Sequence, residues 1–288
     1  MPNLKDIKRR MGSVKKTRQI TSAMKLVSGA KLRRATEAAL SARPYKDKMQ
    51  GVLNRVATTA GADATSPLLA TNDNDKKALL VIVTSDRGLC GAFNSGLLRK
   101  TEDFMAQKAD EGITCDIHVY GRKGRDYLTG RKYDLKDTVL DYAKTNKMDL
   151  VRGLSDTVVK AYTNGEYGSI YLVSNEFVNV MVQDPQFQQV LPLSVDTSGA
   201  DENQLEYQYE PSPNEILDSL LPLYLRTLLL QGFLETEAGE HAARMTAMDN
   251  ATRNASDLLD QLTLDYNRAR QAAITNELIE IVSGAEAL

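Results

Sequence analysis

The two ends of this chain read as long helices of opposite charge. Residues 1–50 hold fourteen Lys or Arg residues and three acidic ones, a net charge of +11, whereas residues 235–288 hold ten acidic residues and four arginines, a net charge of −6. The whole chain of 288 residues carries only −2. A basic and an acidic helix that pair gain about 0.3–0.5 kcal/mol from each exposed ion pair. We therefore expect the ends to pair as an antiparallel coiled coil, whose apolar seam supplies most of the stability.

Apolar residues in the first arm follow the three-and-four spacing of a coiled coil. The stripe is interrupted once, between Val14 and Ile20. Its members are Leu4, Ile7, Met11, Val14, Ile20, Met24 and Val27. Because proline lacks the amide hydrogen that a helix interior uses, we expect Pro44 to kink or interrupt this arm.

The second arm begins with a capping signal. Ser212, Pro213 and Glu215 provide an N-cap serine, a proline at the first helical position and a capping-box glutamate. A helix over residues 213–283 would be about 105 Å long at roughly 1.5 Å per residue, so it must protrude or pair. Gly232 and Gly239 are possible weak points, because each costs about 1 kcal/mol relative to alanine. An apolar face continues at Leu258, Leu262, Tyr266, Ala269, Ile274, Leu278 and Ile281.

The middle of the chain changes to the pattern of a parallel sheet. Residues 78–84 (ALLVIVT) form a continuous apolar run with β-branched residues, which is typical of a strand buried on both faces. Residues 133–147 are too polar to place. The remaining pattern predicts helices at 93–109 and 150–162 and strands at 113–120, 169–174, 178–183 and 188–193. This order indicates βαβ units.

The predicted fold class is therefore α/β plus a long antiparallel coiled coil. The N- and C-terminal helices pair as a rod, and a Rossmann-like βαβ domain is inserted between them. The predicted parts are an N-terminal coiled-coil helix (1–60), a linker (61–75), the α/β domain (76–205) and a C-terminal coiled-coil helix that includes a foot segment (206–288).

Two loops of the α/β domain lie where phosphate groups bind in some α/β folds. Residues 85–94 (SDRGLCGAFN) and 121–124 (GRKG) match neither G-x-G-x-x-G nor G-x-x-x-x-G-K-[ST], so we interpret both as tight turns beneath helices. Cys90 reads as a small buried thiol. With two cysteines and two histidines in the chain, we expect no structural zinc site. Because the loops match no nucleotide motif and the carboxylates are dispersed, we also expect no cofactor and no catalytic residue.

The basic first arm admits other interpretations. Residues 1–36 also read as a mitochondrial transit peptide, and the arm could bind nucleic acid or an anionic membrane surface. No aromatic residue precedes Tyr45, which disfavours stacking on single-stranded bases. No stretch approaches the roughly 20 apolar residues that span a bilayer.

Several runs resemble the gamma subunit of F-type ATP synthases. Residues 270–285 (RQAAITNELIEIVSGA) are similar to the C-terminal signature of that family, including Ile-Thr-x-Glu and a later Gly-Ala. Residues 20–25 (ITSAMK) and 41–45 (SARPY) resemble its opening helix. Residues 85–91 (SDRGLCG) and 209–211 (YEP) are similar again, so the resemblance covers essentially the whole chain.

The resemblance implies a rotor subunit without an active site. In that family the terminal helices stand inside a ring of three alpha and three beta subunits. The α/β domain and the base of the coil rest on the c ring of the membrane sector and hold the epsilon subunit. Proton flow turns the c ring, and the axle drives the catalytic beta subunits through their conformational states.

The resemblance also assigns contact residues. Met24 and Lys25 on the first arm, and Arg244, Arg270 and Gln271 on the second, are implied to meet the beta subunit. Tyr207 and Glu210 match the foot that touches the c ring.

The spacing of the cysteines bears on the cellular compartment, and two other functions stay open. Cys90 and Cys115 are too far apart in sequence to resemble the regulatory cysteine pair of the chloroplast proteins, which favours a bacterial enzyme at the cytoplasmic face of the inner membrane. The rivals are a nucleotide-binding α/β enzyme and a coiled-coil adaptor with a nucleic-acid-binding arm.

Overall fold

The computed structural model describes residues 4–61, 66–72, 74–195, 209–210 and 212–286. The chain separates into two compact units. Met1–Gly29 and Arg244–Leu288 form the first, which we call the paired-helix unit, and Ala30–Ala243 form the second, the α/β unit. The four-part division made from the sequence stays a prediction. In chain order the elements are α1 (Leu4–Ala60), β1 (Lys77–Val83), α2 (Phe93–Asp110), β2 (Thr114–Tyr120), α3 (Arg122–Gly130), β3 (Asp137–Val139), a short 3-10 helix (Tyr142–Lys144), α4 (Lys147–Thr163), β4 (Ser169–Phe177), β5 (Gln183–Leu191) and α5 (Pro213–Glu286).

Five strands form one mixed sheet in the α/β unit, in the order β3-β2-β1-β4-β5. β1 pairs in parallel with β2 and β4, and β2 pairs in parallel with β3, whereas β5 runs antiparallel to β4. The central position of β1 explains its unbroken apolar sequence, since Ala78 to Val83 are fully buried. The predicted α/β class with βαβ connections is confirmed, and β3 comes from the segment that was too polar to place.

Helices cover both faces of this sheet. On one face, α2 and α3 pack against β1, β2 and β4 through Leu97, Leu98 and Leu128. On the other face, α4 and the parts of α1 and α5 that belong to this unit pack around Leu53, Val158 and other buried apolar residues. The sheet is therefore the middle layer of three, as expected for βαβ units.

The β4–β5 connection corrects the strand predicted at 178–183, whereas the strand predicted at 188–193 overlaps the second half of β5. β4 continues to Phe177 and β5 begins at Gln183, so the residues between them form the turn of a hairpin. The side-chain oxygen of Asn179 accepts hydrogen bonds from the amides of Met181 and Val182 at 2.8 and 2.9 Å. An asparagine that bonds its own backbone in this way closes a turn, and this local bonding overrides the β-branched composition.

Pro44 lies inside α1 and does not end it, so the predicted interruption at this residue is wrong. The residues around it are held by packing, because Ala39 and Leu53 on the same helix are buried in the α/β unit. Interior proline costs a helix about 3 kcal/mol, and burial of one apolar side chain can offset about 1.5–3 kcal/mol. Tertiary packing therefore outweighs the local preference here.

α5 begins as the sequence predicts. The Ser212 hydroxyl accepts from the Glu215 amide at 3.3 Å, which is the N-cap bond of a capping box, and it donates to the Glu215 carboxylate at 3.0 Å. Gly232 and Gly239 are close-packing positions within the continuous helix. A Cβ at Gly232 would lie 2.5 Å from Cδ2 of Leu172, and one at Gly239 would lie 2.9 Å from Cε2 of Phe93.

In the paired-helix unit, α1 and α5 run antiparallel. The hydroxyl oxygens of Thr21 and Thr252 are 2.8 Å apart, and Lys25 donates to Asp249 at 2.6 Å. The predicted antiparallel coiled coil is confirmed by these two contacts.

The seam of α1 differs from the predicted stripe beyond Val14. It continues without a skip, because buried and half-buried residues recur at three-and-four spacing at Ile7, Met11, Val14, Arg18, Thr21, Lys25 and Ser28. Ile20 and Val27, predicted to lie in the seam, are 60% and 58% exposed. An unbroken 3-4 repeat keeps one side of the helix against its partner. Polar residues of α1 occupy this repeat, and two of them form hydrogen bonds with polar residues of α5. The apolar spacing of the sequence therefore did not identify these polar residues as seam positions.

Candidate partner-contact surfaces

The centre of the paired-helix unit is an ion pair between the two helices. Lys25 Nζ lies 2.6 Å from Asp249 Oδ1, and Arg253 also bonds the Asp249 carboxylate from one helical turn further along α5. The hydrogen bond from Lys25 lowers the pKa of Asp249, the charge of Arg253 lowers it further, and partial desolvation opposes both. Lys25 was predicted to contact beta, and in the isolated chain its ammonium group is held at the helix–helix seam.

Next to this pair, the outward side of α1 is unexpectedly apolar. Ile20, Leu26 and Val27 are 60%, 71% and 58% exposed, whereas Met24 is half-buried. Scattered exposed apolar residues are common, but three within eight residues of one helix mark a candidate contact surface. The sequence contained a signal for this surface, because these residues fall outside an unbroken heptad counted from Leu4.

Arg244 is the first of the three residues of α5 that were predicted to contact the beta subunit. The residue is 7% exposed, so most of its side chain is unavailable to a partner in this conformation. A direct contact between Arg244 and beta stays a prediction, and it would require the side chain to move.

Arg270 and Gln271 lie at the end of the pairing between the described residues of the two helices. Extending the Lys25–Asp249 register by equal steps along both helices brings Leu4, the first residue of α1, opposite Arg270. Both Arg270 and Gln271 are exposed, and Arg270 forms no hydrogen bond or ion pair with the described residues. Its guanidinium is therefore free to make a bidentate contact with a carboxylate.

Beyond Arg270, α5 continues without a described residue of α1 opposite it, and its apolar side chains are exposed. The exposed apolar residues of this bare end are Ile274, Leu278, Ile279, Ile281 and Val282. The face predicted to continue the coiled-coil seam here has no partner within the described part of the chain. An apolar helix end of this size needs a covering surface.

The predicted foot is only partly described. Glu210 is exposed, and Tyr207 lies outside the described residues. Tyr209, between them, accepts a hydrogen bond from the Thr59 hydroxyl at 3.4 Å. The role of Tyr207 and Glu210 as c-ring contacts stays a prediction.

The two loops considered as phosphate sites are tight turns in the structure. Ser85 and Asn94 exchange two hydrogen bonds, from the Ser85 amide and from the Asn94 side chain, and these close the first loop around a buried Cys90. In the second loop, Gly121 has φ of 102° and a Cβ there would lie 2.3 Å from the Thr84 carbonyl oxygen. Only glycine accommodates that approach, so both loops serve the packing of α2 and α3.

α5 occupies the region where a doubly wound sheet would bind a nucleotide, at the carboxyl ends of its strands. Phe233 packs edge-on against Tyr120 and Tyr142 at ring distances of 5.1 and 5.4 Å. Tyr142 is buried there and donates to the Thr84 carbonyl at 2.9 Å, and this burial raises the pKa of its hydroxyl. Six residues further along α5, Gly239 packs against Phe93, the first residue of α2. The chain fills this crevice with its own side chains.

Neither a metal-binding cluster nor a membrane-spanning helix was found in the described ranges. No group of three or more His, Cys, Asp or Glu side chains within residues 4–286, gaps excepted, is arranged to hold a metal ion. None of the helices in those same ranges is both long and apolar enough to cross a bilayer.

Comparison with known proteins gives consistent matches over the whole chain. A family model described as ATP synthase matches residues 3–288. The ATP synthase gamma chain of Pelotomaculum thermopropionicum is 45% identical over 288 residues, covering 100% of both chains. That of Geobacter metallireducens is 47% identical over 290 residues, covering 100% of this chain and 99% of the relative.

Solved structures with the same fold come from mitochondrial ATP synthases. A chain of the Euglena gracilis enzyme, in a structure of OSCP, F1 and the c-ring, matches with a TM-score of 0.68 and 20% identity over 99% of this chain and 94% of that one. A chain from the Tetrahymena thermophila central stalk and c-ring matches with a TM-score of 0.60 and 24% identity over 81% and 99%. At these identities the likeness concerns the fold.

Proposed function

Because this chain belongs to the ATP synthase gamma chain family, we propose that it is the central-stalk rotor subunit of an F-type ATP synthase. It transmits rotation of the c ring to the catalytic beta subunits, and so couples proton flow to ATP synthesis or hydrolysis. The observation that carries the proposal is the bare apolar end of α5. Five exposed apolar residues follow Arg270, beyond the pairing with the described residues of α1, and such a surface requires a surrounding partner.

The partner that we propose for the paired-helix unit is the ring of three alpha and three beta subunits. The bare end of α5 would be sheathed by apolar surface of this ring, and Arg270 and Gln271 would contact beta at the boundary of the sheathed region. The exposed Ile20, Leu26 and Val27 offer a second apolar contact on α1. Met24 and Lys25 would meet beta beside them, with Lys25 already oriented by Asp249.

Rotation acts through the unequal sides of this unit. An apolar side at Ile20, Leu26 and Val27 and a charged side at Arg253 present different surfaces to the neighbours. A neighbouring beta subunit that binds one side better in one conformation has its conformational equilibrium shifted when that side turns towards it. The free energy of this shift equals the difference in contact free energy between the two conformations of beta. A tenfold change in the equilibrium constant between them requires about 1.4 kcal/mol.

The α/β unit has a different proposed role. It would rest on the c ring, with Tyr207 and Glu210 as contacts, and would hold the epsilon subunit. The chain itself would be non-catalytic, which is supported by the position of Phe233 and Gly239 in the crevice that a nucleotide would need. We place the assembled enzyme at the cytoplasmic face of a bacterial inner membrane, where this chain would be peripheral.

Reconstitution with alpha and beta subunits tests the proposal. Purified full-length chain is mixed with the two subunits, and the mass and ATPase activity of the product are measured. We expect one chain per hexamer and an ATPase that drives rotation. Recovery of the chain without alpha or beta, or stoichiometric binding of ATP or NAD by the chain alone, would refute it.

A further inference from the structure

The hairpin turn between β4 and β5 carries an exposed apolar surface that the proposed contacts do not use. Val178, Val180, Met181 and Val182 follow one another almost without interruption, and all four are exposed, with Met181 at 75%. No charged residue occurs from Phe177 to Gln183. Contiguous apolar side chains at the tip of a turn are unfavourable in water and mark an interaction site.

The turn is held in one conformation by its own hydrogen bonds. Besides the two bonds to the Asn179 side chain, the Asn179 amide donates to the Val182 carbonyl at 3.1 Å. The Gln183 side chain donates to the carbonyls of Asn179 and Val180 at 3.1 and 3.0 Å. An ordered apolar turn loses little conformational freedom when it binds, which raises its affinity for a preformed pocket.

The base of the hairpin is anchored to the rest of the α/β unit. Arg43 donates from Nη2 to the Phe177 carbonyl at 2.9 Å, and its charge is balanced by Glu235. Gln183, at the start of β5, packs against Gly239 of α5. The four apolar side chains are therefore presented by a fixed scaffold.

Charge beside the turn indicates which partner fits. Glu176 and Asp184 face each other at the second pair from the turn, next to the Phe177–Gln183 pair. Lys100 pairs with Asp184 at 3.6 Å, whereas no cationic side chain of the described residues forms an ion pair with Glu176. The rim of the apolar surface thus has an excess of negative charge. A partner with Lys or Arg around an apolar pocket complements it.

We propose that this turn, Val178–Val182, docks into an apolar pocket with a cationic rim on another protein subunit of the assembled ATP synthase. The inference rests on the proposed function, because it places the partner in that complex. A second copy of this chain would bring two acidic rims together, and an anionic membrane surface would repel the same carboxylates. A protein pocket is the occupant that satisfies both the apolar tip and the acidic rim.

Site-specific photo-crosslinking in the purified, assembled complex tests the inference. The photoreactive residue p-benzoylphenylalanine replaces Met181 in one sample and Met148 in the control. Met148 is another exposed methionine, at 54% compared with 75% for Met181, and it lies at the start of α4 in the same unit. We expect illumination to give one adduct from position 181, with a single other protein subunit and at a peptide that contains Lys or Arg, and none from position 148.

A charge variant provides the second measurement. Glu176→Lys should reduce the yield of that adduct about threefold or more, because an attractive rim contact becomes repulsive, whereas Glu176→Asp should retain most of it. An adduct with lipid or with a second copy, no adduct above the Met148 control, or a yield unchanged by Glu176→Lys would overturn the inference. If the labelled chain enters the complex and gives no adduct, the rotor assignment stands and the docking turn is wrong. If the unlabelled chain fails to enter the complex, both are wrong.

Discussion

Arg43 on α1 forms a largely buried ion pair with Glu235 on α5, with 3.0 Å between Nε and Oε1. The same guanidinium donates to the Phe177 carbonyl, so one side chain joins two helices and the β4–β5 hairpin. Planar geometry allows arginine to serve both acceptors at once. The pair therefore fixes how three elements of the α/β unit meet.

Arg43→Met should destabilise the chain by about 2–3 kcal/mol. Loss of a partner from a fully buried pair costs about 3–5 kcal/mol, and the value is discounted here because the Arg43 side chain is a third exposed. Urea unfolding followed by circular dichroism measures the change. The double variant Arg43→Met with Glu235→Leu should recover part of the loss, because no uncompensated carboxylate remains. Equal losses in the single and double variants would show that the charge of Glu235 is unimportant.

Replacement by alanine should change stability in opposite directions at a helical glycine with open space around it and at one that is closely packed. Gly153→Ala on α4 should stabilise by about 0.5–1 kcal/mol, because nothing lies within 4 Å of the added methyl group. Gly232→Ala should destabilise by about 1 kcal/mol or more, because its methyl group meets Leu172 at 2.5 Å in a buried layer and overpacking costs about 1–3 kcal/mol. Thermal unfolding of both variants measures the difference. A stabilised Gly232→Ala variant would contradict the close packing described for α5.

The Lys25–Asp249 pair predicts a specific dependence of stability on pH. Because the folded state lowers the pKa of Asp249 below 3.8, its contribution is present above that value and is lost as pH falls through the lower folded value. Asp249→Asn should therefore be less stable than the parent chain at pH 7, and the difference should shrink towards pH 3. Urea titrations of both chains at the two pH values measure it. A difference that is independent of pH would exclude the ion pair as its cause.

Cys115 should react slowly with alkylating reagents at neutral pH. Desolvation raises the pKa of its thiol above 9.0, with a smaller opposing effect from Lys108, so the reactive thiolate is scarce at pH 7. Alkylation by iodoacetamide, followed by mass spectrometry of the peptide, should accelerate as pH rises past about 9. Cys90 is buried and should stay unmodified in the folded chain at both pH values. Fast modification of Cys115 at pH 7 would contradict the described environment.

Much of the fold followed from the sequence, and the misses have physical causes. The β1 run, the Ser212 cap and the length of α5 are local signals and were confirmed. The seam of α1 was misplaced because Thr21 and Lys25 occupy it, and a polar seam is recognisable only with Thr252 and Asp249 opposite.

The same distinction between local and long-range signals applies to the contact sites. The turn after β4 was read as a strand because its valines favour β structure, whereas the deciding interaction is the Asn179 side chain. The burial of Arg244 depends on packing that no local pattern encodes. The exposure of Arg270 follows from where α1 begins relative to α5, which requires the register of the pair.

Arg270→Ala should lower coupled ATP synthesis about threefold to tenfold in the reassembled enzyme. The estimate corresponds to one charge-assisted contact that is partly exposed to solvent. Arg268→Ala is the matched control, since it removes an exposed arginine two residues away on the same helix. Both variants should unfold like the parent chain, because neither side chain is buried. Equal activity of the two variants would remove Arg270 from the proposed beta contacts.

Single-molecule rotation tests the rotor assignment most directly. Thr129→Cys places a reactive thiol on the exposed surface of α3 for attachment of a bead, while the alpha–beta hexamer is fixed to a glass surface. The account predicts unidirectional rotation of the bead that starts with ATP and stops when ATP is removed. A complex that contains the chain and hydrolyses ATP while the bead remains stationary would contradict it.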